Sequence, residues 1–172
     1  MNTGFLLLGG NLGNREKMLK DASALLERDT GAIINSSSVY ETAAWGVTGQ
    51  PDFLNQVLVV ETALTCRQLL HKVQQIELLL GRKRCEKWHA RTIDIDILYF
   101  NEEVIDQPDL KVPHPEMHRR NFTLHPLAEV APFFVHPLLQ QNSLQLLKTS
   151  PDGLPVSRLT DVVVQQRLEQ SA

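Results

Sequence analysis

Residues 91–100 constrain the fold of this chain more than any other stretch. Ile93, Ile95, Ile97 and Tyr99 alternate there with Thr92, Asp94, Asp96 and Leu98. A period of two in a β-branched run predicts a strand with one buried face. Both aspartates then lie on the opposite face, with their Cα atoms roughly 7 Å apart.

Two ionised carboxylates in one space repel each other unless a cation accompanies them. Their hard oxygen ligands suit Mg²⁺, which binds one or two carboxylates and completes its shell with water and substrate phosphates. The alternative is a half-exposed edge strand with solvated acids. Because Asp is depleted in strands, the pair at Asp94 and Asp96 favours the metal site.

The segment before this strand concentrates positive charge around a tryptophan. Its cations and the tryptophan are Arg82, Lys83, Arg84, Lys87, Trp88, His89 and Arg91. Such a segment beside two carboxylates suits an anionic ligand that carries its own metal, such as a nucleoside polyphosphate. A solvated basic loop is the alternative explanation.

Composition narrows the class of protein. The chain has 172 residues, 42% hydrophobic and 22% charged, which predicts a single globular domain, 1–172. Its net charge of -3 argues against a general nucleic-acid binder. The sequence has two cysteines, no signal-peptide pattern and no apolar run near 18 residues. From these features we predict a cytoplasmic protein with no membrane partner.

The order of predicted elements indicates a fold class. An apolar run at 5–8 predicts a buried strand and ends in a glycine-rich turn. The glycines of this turn lack the spacing of a dinucleotide-binding or P-loop motif. Asn14 can cap the helix that follows. Strands at 33–41 and 53–61, separated by a long loop, precede a helix opened by Thr65 and Gln68. With the aspartate strand, the order β-α-β-β-α-β predicts an α+β, ferredoxin-like antiparallel sheet with helices on one face.

Beyond this core, the chain continues with a histidine- and arginine-rich segment. His114 lies between two prolines, and His118 precedes Arg119 and Arg120. We interpret these side chains as donors to phosphate oxygens rather than zinc ligands, since Pro115 prevents a regular helical histidine pair. A helix is predicted at 122–130. The catalytic core then spans about 1–135, and a C-terminal extension of about 136–172 shows no recognisable chemistry.

Six motifs in order resemble the 6-hydroxymethyl-7,8-dihydropterin pyrophosphokinase family of folate biosynthesis. They occupy residues 8–13, 50–55, 76–82, 88–97, 112–115 and 122–132, and the Arg-Thr-x-Asp-x-Asp strand is the specific part. The resemblance implies the ferredoxin-like core and an enzyme that transfers the β,γ-diphosphate of ATP to the pterin hydroxymethyl group, releasing AMP. It also implies two Mg²⁺ ions bridging the triphosphate.

The same resemblance implies roles for individual residues. Asp94 and Asp96 would bind the metal ions, and Arg82 and Arg91 would act in catalysis. The ATP-binding residues would be Gln74, Glu77, Arg84, Trp88, Ile97, His114 and Arg120. The pterin-binding residues would be Thr42, Ala44, Trp45, Phe53, Asn55 and Phe122. The expected partners are the two small-molecule substrates, and the expected state is a monomer.

Two other functions fit parts of the pattern. A ferredoxin-like RNA-binding module could use the 82–91 segment, but the aromatic strand motif of such modules is missing from the sequence. A magnesium-dependent nucleotide hydrolase could use the same carboxylates. The long loop at 42–51, suited to a second substrate, argues against hydrolysis.

Overall fold

The computed structural model describes residues 1–44, 49–81 and 92–159. The elements are β1 (Asn2–Gly10), α1 (Arg15–Asp29), β2 (Ala32–Ser36), β3 (Tyr40–Thr42), β4 (Phe53–Thr62), α2 (Cys66–Leu79), β5 (Asp94–Phe100), β6 (Ile105–Gln107), β7 (Leu110–Val112), α3 (Asn121–Val130), α4 (Ser143–Thr149) and β8 (Val156–Arg158). A 3-10 turn, Met117–Arg119, precedes α3.

The main sheet has the strand order β5-β1-β4-β3-β8, and β2 also pairs with β4. All of these pairings are antiparallel. Strands β6 and β7 form a separate hairpin. The predicted ferredoxin-like α+β core is confirmed, because the strand that follows α2 returns to the edge beside β1.

Helices α1 and α2 begin where the sequence predicts. The Asn14 side chain accepts a hydrogen bond from the Lys17 N–H, and Thr65 and Gln68 form a complete capping box. The apolar stripes of both helices pack with alternate residues of the sheet in one core, which includes Leu6, Leu8, Leu26, Leu69 and Ile76. This core covers one face of the sheet.

The other face is covered by α3 and the residues after it, a layer that the sequence did not reveal. Leu127 of α3 and the half-buried Phe134 pack on Phe5, Leu7 and Val57. The sheet is therefore covered on both faces over much of its area. Polar residues are left on this second face at the end of the sheet where β1 finishes and β5 begins.

The predicted strand at 33–41 is two strands, β2 and β3. Ser37, between them, keeps its backbone N–H bonded to the Val57 carbonyl at 2.9 Å. Its hydroxyl oxygen, however, accepts the Val57 N–H at 2.9 Å in place of a backbone carbonyl. A side chain thus replaces one ladder bond and separates the two strands while both stay on β4.

The prediction that Tyr99 shares a face with the isoleucines of β5 is wrong. The register between β1 and β5 shifts, so that Leu6 pairs with Ile97 and Phe5 pairs with Tyr99. The extra residue, Leu98, makes a bulge that turns Tyr99 to the aspartate face. Its ring packs edge-on against Phe5, with the ring centroids 5.6 Å apart.

The C-terminal extension adds the helix α4 and the edge strand β8 within the described residues. Strand β8 pairs with β3, so the chain returns to the sheet beside Thr42. Across the described ranges, the helices lack the length and apolar character needed to cross a membrane.

Candidate functional site

A row of three residues crosses the second face of the sheet at its polar end. Asp94 on β5 lies opposite Gly9 on β1, and Gly9 lies opposite Asn55 on β4. Residues directly opposite in a ladder point to the same face, and neighbouring strands are about 4.8 Å apart. Asp94 and Asn55 thus stand roughly 10 Å apart on either side of a residue with no side chain.

The second carboxylate joins this row from the same strand. Asp96 lies opposite Leu7, whose side chain belongs to the core on the same face. Asp94 and Asp96 are both half-buried. The predicted carboxylate pair therefore points to the face that carries Asn55.

Gly9 allows the Asn55 amide to occupy the centre of the row. A Cβ at Gly9 would lie 2.7 Å from Asn55 Oδ1, closer than Cβ atoms approach other heavy atoms. The Asn55 side chain is 3% exposed and donates from Nδ2 to Thr42 Oγ1 at 3.2 Å. Such a fixed amide can recognise an amide-like edge of a planar ligand.

The other described residues predicted for the pterin come from β3, the segment after it, β4 and α3. Thr42 is buried and lies opposite the half-buried Phe53. Ala44 follows Thr42 by two positions and is half-buried. Phe122 lies in the first turn of α3 and packs beside the core on this face. Thr42 and Phe53 thus lie on the strands beside Asn55, and Phe122 lies on the helix that covers the same face of the sheet.

Glu77 contacts the aspartate strand directly. Its side chain is 6% exposed, and Oε1 accepts the backbone N–H of Ile95 at 2.8 Å. Within the described residues β5 lies at the edge of the sheet, so this bond satisfies a backbone donor on the side away from β1. Glu77 therefore fixes the strand between the two aspartates, and Gln74 lies one turn earlier on α2.

His114 is bonded to β5, and its electrostatic neighbours include Arg120 and Asp94. The His114 N–H donates to the Leu98 carbonyl at 3.0 Å, and its Nδ1 accepts the Glu116 N–H at 3.2 Å. Burial, and secondarily the charge of Arg120, lowers the pKa of His114, while Asp94 acts in the opposite direction. A neutral ring with Nδ1 accepting carries its proton on Nε2, which can donate to a ligand.

Arg120 also lies close to the aromatic ring of Phe122. Its guanidinium carbon lies 5.8 Å from the centre of the Phe122 ring. The pKa of His114 responds to both Arg120 and Asp94, so the three charged or polar groups share one electrostatic environment. A carboxylate pair flanked by such donors suits a metal-bound polyphosphate.

Two polar residues of the site were missed by the sequence analysis. Asn11 is 2% exposed, and its Nδ2 donates to the Gln50 side chain at 3.3 Å and to the Pro51 carbonyl at 3.1 Å. Arg15 donates to the Asp52 carbonyl at 2.8 Å. Both hold the segment that leads into Phe53; the only sequence signal was the glycine-rich turn that contains Asn11.

The remaining predicted residues have two different outcomes. Ile97 is buried in the core beneath α1 and α2, so only its backbone can face a nucleotide. The other five lie outside the described residues: Trp45, Arg82, Arg84, Trp88 and Arg91. Their predicted roles stay predictions.

The described donor set suits Mg²⁺ better than zinc. In residues 1–44, 49–81 and 92–159, no group of three or more His, Cys, Asp or Glu side chains could hold a metal ion. Structural zinc needs about four such ligands, whereas Mg²⁺ is commonly bound through one or two carboxylates plus water and phosphate oxygens. Asp94 and Asp96 fit the second pattern.

Comparisons with known proteins find relatives over most of this chain. Residues 5–132 match the family model described as 7,8-dihydro-6-hydroxymethylpterin-pyrophosphokinase (HPPK). A 2-amino-4-hydroxy-6-hydroxymethyldihydropteridine pyrophosphokinase of Aquifex aeolicus is 43% identical over 141 residues, covering 82% of this chain and 88% of the relative. The enzyme of the same name from Bacillus subtilis is 45% identical over 130 residues, covering 75% of this chain and 78% of the relative.

Solved structures match the fold. A Plasmodium falciparum HPPK-DHPS structure superposes with a TM-score of 0.72 at 20% identity, over 86% of this chain. A second structure of HPPK-DHPS, described as a complex with substrates, gives a TM-score of 0.70 at 18% identity over the same share. The chain spans less than half of each of these longer proteins, 43% in both cases.

Proposed function

Since the chain belongs to the 7,8-dihydro-6-hydroxymethylpterin-pyrophosphokinase family, we propose that it transfers diphosphate from ATP to 6-hydroxymethyl-7,8-dihydropterin. The products are AMP and the pterin diphosphate, an intermediate of folate biosynthesis. The observation that carries this proposal is the row of Asp94, Gly9 and Asn55 on one face of the sheet. It places a carboxylate for metal binding and an amide for recognition of the pterin edge on the two strands that flank Gly9.

The Asn55 side of the row binds the pterin. The Asn55 amide, held by Thr42, can exchange hydrogen bonds with the amide-like edge of the pterin ring. The half-buried rings of Phe53 and Phe122 can pack on its faces. Ala44 and Trp45 complete the predicted pocket.

The Asp94 side of the row holds the triphosphate. When bound there, magnesium neutralises phosphate charge and polarises the phosphorus that is attacked. We propose two ions, with Asp94 and Asp96 as their protein ligands. His114 through Nε2 and Arg120 through its guanidinium donate to phosphate oxygens, while Glu77 holds the carboxylate strand in place.

The reaction needs positioning more than covalent chemistry. The pterin hydroxyl attacks the β-phosphorus in line with the departing AMP, and the protein aligns both substrates across Gly9. The described part of the chain offers Asp94 and Asp96 for metal binding and provides no further carboxylate on this row to act as a base. Arg82 and Arg91 are the predicted donors to the charge that develops on the transferred group.

Product analysis tests the proposal. The protein is incubated with Mg-ATP, with and without 6-hydroxymethyl-7,8-dihydropterin, and nucleotides are separated chromatographically. AMP that forms only when the pterin is present supports diphosphate transfer. Release of ADP or AMP at the same rate without the pterin would favour the nucleotide hydrolase, and no turnover by the folded protein would reject the proposal. Cytoplasmic location and a monomeric state stay predictions.

A further inference from the structure

Helix α3, which carries Phe122, begins without a cap of its own. Arg120, at the N-cap position, makes no side-chain capping bond. The Asn121 N–H donates instead to Asp152 Oδ2 at 2.8 Å, across a sequence separation of 31 residues. The first N–H groups of a helix lack internal partners and carry partial positive charge, so a carboxylate there is a stabilising substitute for a local cap.

The Asp152 carboxylate is held in a fixed orientation. Its other oxygen, Oδ1, accepts the Leu154 N–H at 2.9 Å. Its backbone carbonyl accepts from Asn121 Nδ2 at 3.0 Å, so Asn121 and Asp152 are joined by two bonds in total. The Asp152 N–H donates to Ser150 Oγ at 3.3 Å. Such reciprocal bonding fixes the start of α3 relative to the C-terminal extension.

The extension then joins the strand that carries Thr42. Four residues after Asp152, β8 pairs with β3, with Val156 opposite Thr42 and Arg158 opposite Tyr40. The backbone from 152 to 158 therefore connects two walls of the pterin pocket, Thr42 on the sheet and Phe122 on the helix. Along the chain itself, 80 positions separate Thr42 from Phe122, so the two walls are joined through non-covalent contacts.

A second link closes this arrangement near the other end of α3. Tyr40 donates from its hydroxyl to Glu129 Oε2 at 2.6 Å. Arg158 of β8 lies with its guanidinium carbon 5.8 Å from the Tyr40 ring centre. Strands β3 and β8 are thus tied to α3 at both of its ends.

We propose that Asp152 is a positioning residue for pterin binding, which acts by fixing the Phe122 end of α3 against the Thr42 strand. This inference rests on the proposed function and assigns a role to the C-terminal extension. The proposed role is indirect, because the Asp152 side chain is bonded to the backbone of Asn121 and Leu154. Its effect passes through Asn121 to the neighbouring Phe122, whose ring must lie parallel to the pterin to stack on it.

The test compares Asp152→Ala, Asp152→Asn and the wild-type chain in steady-state AMP formation. Because Asp152 accepts an N–H group with each carboxylate oxygen, Asp152→Ala should raise the KM for the pterin by about threefold to tenfold. Asp152→Asn keeps only one acceptor oxygen and should recover at most part of this loss. The KM for ATP should rise less than the KM for the pterin in both variants, because Arg120 beside Asn121 is only one of several proposed triphosphate contacts, and Asp94, Asp96 and His114 lie on other segments. Asp29→Ala, which removes a surface carboxylate bonded to Arg28 at the far end of α1, is the matched control.

Two outcomes would overturn the inference while leaving the proposed function intact. These are an unchanged pterin KM in Asp152→Ala and an equal rise in the KM for both substrates. If Asp152→Ala does not fold, Asp152→Glu keeps the charge but displaces the carboxylate by one methylene group, and the inference then requires a raised pterin KM in that variant. A wild-type chain without pterin-dependent AMP formation would instead reject the function itself.

Discussion

Gly9→Ala adds one methyl group at the centre of the row between the carboxylates and Asn55. The new Cβ would lie 2.7 Å from Asn55 Oδ1, whereas ordinary contacts begin at 3.4 Å, so the two atoms must separate by about 0.7 Å. The backbone of Gly9 cannot yield easily, since it pairs with β4 on one side and β5 on the other. The Asn55 amide is therefore the group that moves.

Displacement of this amide should weaken pterin binding selectively. Asn55 is buried and bonded to Thr42 at 3.2 Å, so a shift of this size stretches or breaks that bond and misaligns the amide for the ring edge. One hydrogen bond contributes about 1 kcal/mol and a misplaced substrate can lose about a hundredfold in rate, so we expect kcat/KM for the pterin to fall about 10- to 100-fold. The KM for ATP should stay within about twofold, because Asp94 and Asp96 keep their places.

Gly4→Ala on the same strand provides the control. Its Cβ would contact Leu69 Cδ2 at 3.0 Å and Val60 Cγ2 at 3.3 Å, in the core beneath α2 rather than in the site. We expect a loss of stability of about 1–3 kcal/mol from overpacking and a nearly unchanged pterin KM. Equal values of kcat/KM for the pterin in Gly9→Ala and the wild-type chain, or equal losses of kcat/KM in both glycine variants, would refute the argument.

Three further predictions follow from the same face of the sheet. Asp96→Ala should keep the melting temperature within a few degrees but lower kcat at least about a hundredfold, because a metal ligand is lost. The rate is measured as AMP formation at saturating Mg-ATP, and full activity would contradict the assignment. Glu77→Ala should lose about 1–3 kcal/mol of unfolding free energy, measured with urea, since the buried Ile95 N–H loses its acceptor. Glu77→Gln retains an acceptor oxygen and should lose less stability. Equal losses in the two variants would argue against this bond. The folded pKa of His114 lies below its ordinary value of 6.5, so the unfolded chain binds more protons and stability should decline as the pH falls below about 6.5. When unfolding is measured from pH 7.5 to 5, the stability of His114→Asn should decline less steeply. An identical slope in both proteins would refute the assignment.

Local patterns were sufficient for much of the fold. Asn14, Thr65 and Gln68 act within three residues of the groups that they cap, and the isoleucines of β5 alternate over a span shorter than ten residues. Such interactions can be recognised without knowledge of the rest of the chain. The strand order followed from the predicted sequence of strands and helices, since few topologies accommodate it.

Interactions between distant segments could not be predicted in the same way. The bond from Asn121 to Asp152 spans 31 residues, and the bond from Asn11 to Pro51 spans 40. Neither pair has a sequence signature, because an Asp before a Gly or an Asn among glycines is typical of any turn. The position of Glu77 beside the apolar stripe of α2 was visible, but not that its partner would be a backbone N–H of the aspartate strand.

The bulge at Leu98 explains why the site lies where it does along β5. Without the extra residue, strict alternation would keep Tyr99 beneath α2, away from Phe5. With it, Tyr99 joins Phe5 and Phe134 on the aspartate face, and their packed rings close that face below the polar row. The carbonyl of Leu98 itself accepts the His114 N–H, so the bulge also anchors the histidine beside the strand. A one-residue irregularity therefore sets both the apolar floor of the site and the position of a proposed phosphate donor relative to Asp94, an outcome typical of bulges near functional sites.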